Sequence, residues 1–297
     1  MTGIICLDKP KGMSSFMAVK RASRILGVKK AGHTGTLDPM ATGVLVVMLG
    51  HSTRFIELLP EHKKSYTARV KLGITTDTLD ITGEILTRSP VSVTEEQLLS
   101  VANGFKGEIL QTPPMYSALK KDGERLYDLA RKGIEIEREQ RQITIENLKI
   151  YDFDGIEFSM DVTCSAGTYI RSLCDDIGRE LGCGAVMTEL RRTSANGFSI
   201  ETAVTLEELE SLVNENNIQS VLTSVEDALL SYNEITVTKP QANRFHNGGS
   251  LAYDRLHGNY PIGIYRVYSP DSKLLGLGEI KEEKGDLEVR RVLVSDE

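Results

Sequence analysis

The run Val44-Leu45-Val46-Val47-Met48-Leu49 constrains this chain most. Six consecutive apolar residues without polar alternation read as a buried strand, and 297 residues with 40% hydrophobic content suffice for a sizeable core. Directly before it lies Gly32-His33-Thr34-Gly35-Thr36-Leu37-Asp38-Pro39-Met40-Ala41-Thr42-Gly43, a loop rich in glycine and threonine with one carboxylate. A loop held against a rigid strand is where a catalytic group is expected.

The length exceeds the usual single domain, so one large domain and one smaller one are expected. No segment approaches the ~18 consecutive apolar residues of a membrane span. The N-terminus enters Gly3-Ile4-Ile5-Cys6-Leu7 without a basic region or a long apolar stretch, so a cytoplasmic protein with no membrane partner is expected. Cys6, Cys164, Cys174 and Cys183 form no Cys-x-x-Cys pair and have no histidine cluster beside them. They read as reduced, buried, small apolar residues, with neither metal nor redox chemistry. The net charge of −7 by itself argues against a nucleic-acid partner, but residues 1–64 hold ten Lys or Arg against four Asp or Glu. Residues 201–234 hold eight acids and no Lys or Arg. The asymmetry fits a basic working face on an acidic protein, and equally a set of solvated helix faces.

In chain order, Gly3 to Leu7 reads as a short strand followed by the turn Asp8-Lys9-Pro10-Lys11-Gly12. Ser14 or Ser15 caps a helix that turns Met17, Ala18, Ala22, Ile25 and Leu26 inward, exposes Lys20, Arg21 and Arg24, and stops at Gly27. Lys29 and Lys30 continue the basic character into the loop. Ser52 caps a short helix to Leu59, and Tyr66, Ala68, Val70 and Leu72 alternate with polar residues as one face of a half-buried strand. Asp77, Asp80 and Gly83 mark a polar loop, and Thr94 with Gln97 forms a capping box for a helix to Ala102. Gly123 to Lys132 reads as a short helix. Two further strand patterns run through Ile143–Ile150 and Ile156–Cys164, and a helix follows with the stripe Ile170, Leu173, Cys174, Ile177, Leu181. Strands and helices mix without strict βαβ alternation, which indicates an α+β architecture. Residues 201–234 look helical, and from Ile235 the pattern changes to short strands with glycine-rich turns, read as a small all-β module.

Several side chains could do chemistry, and each has a structural alternative. Asp38, followed by Pro39, reads more readily as a turn or capping residue than as a catalytic one. The glycines around it fit a phosphate loop only weakly, because no Gly-Lys-Ser or Gly-Lys-Thr follows. His33 reads as a base, a recognition side chain or a metal ligand, although His51, His62, His246 and His257 show no ligand spacing with it. Tyr66 alone would count as core, and Arg171 as a helix-end charge.

Taken together, Leu7-Asp8-Lys9-Pro10-Lys11-Gly12-Met13-Ser14-Ser15, the stretch Gly32 to Leu49, Lys64-Ser65-Tyr66, Gly167-Thr168-Tyr169-Ile170-Arg171 and Leu190-Arg191-Arg192-Thr193 resemble the TruB family of tRNA pseudouridine synthases, in the family's order, over about residues 1–200. The tail resembles the family's PUA domain more loosely. The resemblance implies a mixed-sheet catalytic domain over 1–230 and a PUA-like RNA-binding domain over 235–297. It implies isomerisation of uridine 55 in the T loop of tRNA, with no cofactor, no metal and no guide RNA. Asp38 is then the nucleophile, Arg171 its guanidinium partner, and Tyr66 the aromatic that stacks on the base and helps to remove the C5 proton. His33 packs into the RNA beside the vacated site, Tyr169 and Leu190 line the uracil pocket, and Asp80 is an acidic residue near the site. Lys20, Arg21, Arg24, Lys29 and Lys30 would hold phosphates. The partner is the T stem-loop, with the tail reaching toward the acceptor stem, and the protein is expected to act as a monomer. Two rival readings are an RNA-binding or RNA-folding protein and a guide-RNA-dependent synthase subunit. The Asp38, Tyr66 and Arg171 set favours an enzyme over the first, and the short sequence before Gly3 favours a stand-alone form over the second.

Overall fold

The computed structural model of the chain describes residues 1–60, 62–121 and 123–294. The strands are β1 (Gly3–Lys9), β2 (Ala31–His33), β3 (Thr42–Leu49), β4 (Lys64–Leu72), β5 (Ile74–Thr76), β6 (Ile85–Arg88), β7 (Gly107–Gln111), β8 (Lys120–Lys121), β9 (Glu124–Arg125), β10 (Arg141–Tyr151), β11 (Glu157–Cys164), β12 (Ala185–Ala195), β13 (Phe198–Ser199), β14 (Asn233–Thr236), β15 (Gly263–Tyr268), β16 (Leu274–Ile280) and β17 (Glu288–Val292). The helices are α1 (Ser15–Ile25), α2 (Glu95–Gly104), α3 (Leu126–Arg131), α4 (Ile170–Glu180), α5 (Leu206–Asn214), α6 (Val225–Ala228) and α7 (Lys239–His246). None is long and apolar enough to cross a membrane.

A mixed sheet runs β1-β3-β12-β4-β11-β10-β7, with β2 added to β3 and β13 to β12. Its pairings are antiparallel except where β12 meets β3 in parallel, Arg191 opposite Thr42 and Arg192 opposite Gly43. The apolar run of β3 is covered on both faces, which is why it lacks alternation. Leu45, Val47 and Leu49 meet Ala18, Val19 and Ala22 of α1 and Leu206 and Leu209 of α5. Val44, Val46 and Met48 meet Phe55, Leu58 and Leu229 on the other side. Tyr66, Ala68, Val70 and Leu72 of β4 share a core with Ile170, Leu173, Cys174 and Ile177 of α4. The outer face of β4 instead makes polar cross-strand pairs, such as Thr67 to Asp161 at 2.8 Å and Arg69 to Glu157 at 2.9 Å.

Two of the expected helix caps form. Ser14 accepts from the Met17 amide at 3.2 Å, and the Thr94/Gln97 box closes with bonds of 2.9 and 3.3 Å. Met17, expected inward, is 52% exposed, because the first turn of α1 is set by Ser15 pointing into the protein. Ser52 does not cap an α-helix. Its hydroxyl joins Leu49 and Gly3 within a 3-10 helix, Gly50–Leu58. The segment expected as one helix from Gly123 opens with the β8–β9 pair, and only Leu126–Arg131 is helical. A smaller sheet, β14-β15-β16-β17, forms the tail, but the stretch read as all-β also holds the helix α7, opened by the Thr238/Gln241 capping box.

Candidate active site

The loop carrying Asp38 is fixed from behind by the N-terminal segment. Ser15 Oγ donates to Leu37 O at 2.9 Å and accepts from Leu37 N at 2.7 Å, so one buried hydroxyl satisfies both backbone groups of the residue before Asp38. The residue after it is held too, since Pro39 O accepts from Gly12 N at 2.7 Å and from Lys9 Nζ at 3.5 Å. Lys9 is fully buried and also donates to the carbonyls of Pro10 and Met13 at 2.9 and 2.6 Å. Burial pushes its pKa down to about 8 although Asp38 pulls it up.

With its backbone fixed, the Asp38 side chain stands 34% exposed and meets Arg171 as a fork: Nε to Oδ2 at 2.9 Å and Nη2 to Oδ1 at 3.3 Å. Arg171 lies in the first turn of α4, is 5% exposed, and is itself oriented by the carbonyls of Thr78 at 3.0 Å and Tyr116 at 2.8 Å. Asp80 stands behind it, with Oδ2 at 3.9 Å from Nη1. Asp80 Oδ1 accepts from the Thr78 and Thr82 hydroxyls and the Thr82 amide, so this carboxylate is occupied in holding its own loop. Burial raises the Asp38 pKa, the Arg171 charge opposes the rise, and Asp80 adds to it. The result is a carboxylate that is partly open to a ligand and aimed by a planar donor.

Tyr66 of β4 is 7% exposed and shares an apolar cluster with Leu37, Met40 and Leu190. Burial raises its phenol pKa, so it is protonated at neutral pH, and Arg192 is the chief opposing influence. Leu190 of β12 lies opposite Ala68 and is 8% exposed. Tyr169 caps α4, and its backbone is clamped by the buried Gln111 side chain, which accepts from its amide at 2.8 Å and donates to its carbonyl at 3.1 Å. His33 ends β2 opposite Val47. Its Nδ1 is buried without a hydrogen-bond partner among the described residues, and burial together with Arg192 and Lys64 lowers its pKa, keeping the ring neutral.

The fold therefore brings Asp38, Arg171 and Asp80 into one constellation, with Tyr66 and Leu190 in the same apolar cluster as the Asp38 loop. Sequence reasoning missed Ser15, Lys9 and Gln111 as supports and Arg192 as a buried cation beside Tyr66. The Arg191-Arg192 doublet and the Asp8-Lys9-Pro10 turn were visible, but nothing in them signals burial. Arg191 does pair with Asp8, bidentately at 2.7 and 3.1 Å.

Residues 23–170 match the TruB family pseudouridylate synthase N-terminal domain, and residues 171–230 match the tRNA pseudouridylate synthase B C-terminal domain. Fold and site thus define a pseudouridylate synthase. The chain belongs to the TruB family. It is 46% identical to a tRNA pseudouridine synthase B of Clostridium tetani over 95% of this chain and 97% of the relative, and 42% identical to one of Stutzerimonas stutzeri over 100% and 97%. Among solved structures it resembles a chain of a Cbf5-Nop10-Gar1 complex, with TM-score 0.76 and 28% identity over 98% of this chain and 84% of that one. It also resembles a chain of an H/ACA RNP bound to a substrate RNA containing 2'-deoxyuridine, with TM-score 0.74 and 26% identity over 99% and 85%.

Proposed function

We propose that this protein converts uridine 55 in the T loop of tRNA to pseudouridine, with Asp38 as the nucleophile on a flipped-out nucleotide. The observation that carries the reading is the forked Arg171–Asp38 pair on a backbone fixed from both sides. The relatives named tRNA pseudouridine synthase B supply the substrate class.

The reaction breaks the bond between N1 and C1′, turns the uracil, joins C5 to C1′, and moves the C5 proton off while N1 gains one. It is an isomerisation without net redox change or hydrolysis, so its balance calls for no cofactor. Arg171 keeps Asp38 ionised against the burial that favours its neutral form. Tyr66 stacks on the detached base, and because burial keeps its phenol protonated, its part in removing the C5 proton requires help from its surroundings. Tyr169 and Leu190 line the uracil site, Asp80 backs Arg171, and neutral His33 packs into the RNA beside the site the flipped base leaves. Flipping costs about a few kcal/mol, supplied by such contacts. Lys20, Arg21, Arg24, Lys29 and Lys30 are exposed and would contact phosphates.

In this reading residues 1–230 form the catalytic domain and residues 235–297 a PUA-like RNA-binding domain that reaches toward the acceptor stem, and the protein works in the cytoplasm as a monomer. The test incubates purified protein and EDTA with unmodified tRNA and maps pseudouridine chemically. Product at position 55 without any other macromolecule supports the proposal. Product only when a guide RNA is added would favour the guide-dependent reading, and tRNA binding without product the purely binding one.

A further inference from the structure

Arg192 is a buried cation to which the reaction just described gives no task. It is 1% exposed, and among the described residues no ion pair joins it to a carboxylate. Taking a guanidinium out of water without a counter-charge is costly, so its remaining partners must hold it closely. Those partners are backbone carbonyls: Nε donates to Val44 O at 2.7 Å and Nη2 to Gly35 O at 3.0 Å, one on each side of Asp38 in the chain. In the sheet, Arg192 of β12 is the direct partner of Tyr66 on β4, and on its other side it meets Gly43. One side chain therefore touches both arms of the nucleophile's loop from a position beside the aromatic.

We propose that Arg192 is a positioning residue that ties the Asp38 loop to Tyr66 and fixes the spacing between nucleophile and stacking aromatic. The inference rests on the pseudouridine-forming reading of those two residues. Its electrostatics agree with the geometry. Burial raises the Tyr66 phenol, Cys164 at the end of β11 and Asp38 in the loop raise it further, and the Arg192 guanidinium draws it back down. Arg192 thereby opposes the burial that holds the Tyr66 proton in place.

The test uses the full-length Arg192→Lys protein, which keeps a charge but loses the fork that spans two carbonyls. Single-turnover conversion of saturating tRNA should slow roughly 10- to 100-fold, the scale of a misplaced reacting group, with tRNA affinity unchanged. In protein labelled with 3-fluorotyrosine, the 19F signal of Tyr66, assigned with Tyr66→Phe, should titrate at higher pH in the variant. The rate penalties of Arg192→Lys and Tyr66→Phe should combine to less than their product. A residue that only supported the fold would lower stability without moving that titration. An unmoved Tyr66 titration, an unchanged rate or fully multiplicative penalties would overturn the proposal. If Arg192→Lys does not fold, the unsubstituted protein decides: the Arg192 guanidinium resonance must shift as Tyr66 titrates, and its constancy would overturn the proposal. If the parent protein makes no pseudouridine, the functional reading fails on that control while the titration still judges Arg192.

Discussion

Asp38 is subject to two opposing influences, burial that favours its neutral form and a forked guanidinium that favours its charge. A carboxylate that reacts as an anion loses activity as pH falls through its folded pKa. Because that pKa is raised, the acid limb of the single-turnover rate should lie above the ordinary Asp value of about 3.9. Arg171→Lys keeps a point charge but cannot make both contacts to Asp38 while bonding the carbonyls of Thr78 and Tyr116. The variant should react roughly 100-fold more slowly or worse, with its acid limb displaced to higher pH. A limb that stays in place would remove Arg171 from the control of Asp38. Asp38 and Arg171, 133 residues apart in the chain, could be paired from the family resemblance, whereas spacing and composition alone left Arg171 as a helix-end charge. The supports were less legible still. Ser15, Lys9 and Gln111 are polar residues whose ordinary place is the surface, and only the folded geometry reveals the backbone groups they satisfy.

At the scale of elements, the parallel junction of β3 and β12 sets the site, because it brings Arg192 beneath the loop. The close approach depends on Gly43, which has φ +99°, and a Cβ there would lie 2.2 Å from Arg192 O. Gly43→Ala should destabilise the protein by roughly 1–3 kcal/mol, measured as a lower denaturation midpoint, and slow catalysis as well. A variant as stable as the parent would show that the junction can open without strain. β3 was readable because both its faces are apolar, and β4 and β11 because alternation marks a half-exposed sheet. β12 gave no such signal. Its register shifts between Met187 and Glu189 and between Arg192 and Ser194, which interrupts the period of two, and its buried arginine reads as a surface charge.

At the scale of the molecule, the tail is less separate than its change of sequence pattern suggested. Leu277 of β16 is fully buried in the cluster that holds Val46, Phe55 and Leu229, with Ile264 and Leu293 against it. Arg266 donates to Tyr232 O at 2.9 Å, and Tyr268 to Glu226 at 2.9 Å. Ending the chain after Tyr232 should therefore lower the thermal midpoint by roughly 5–10 °C as well as weaken tRNA binding. An unchanged midpoint would mean that these contacts contribute nothing to the larger domain. Composition could indicate that a second unit exists, but the interface is built from isolated apolar side chains whose partners lie far away in the chain.

All three scales converge on one carboxylate, so the most direct measurement is single-turnover pseudouridine formation by Asp38→Asn, paired with its affinity for tRNA. Conversion should fall roughly 10⁴-fold or more while affinity stays close to that of the parent. Conversion at a rate near the parent's would contradict the assignment of Asp38 as the nucleophile.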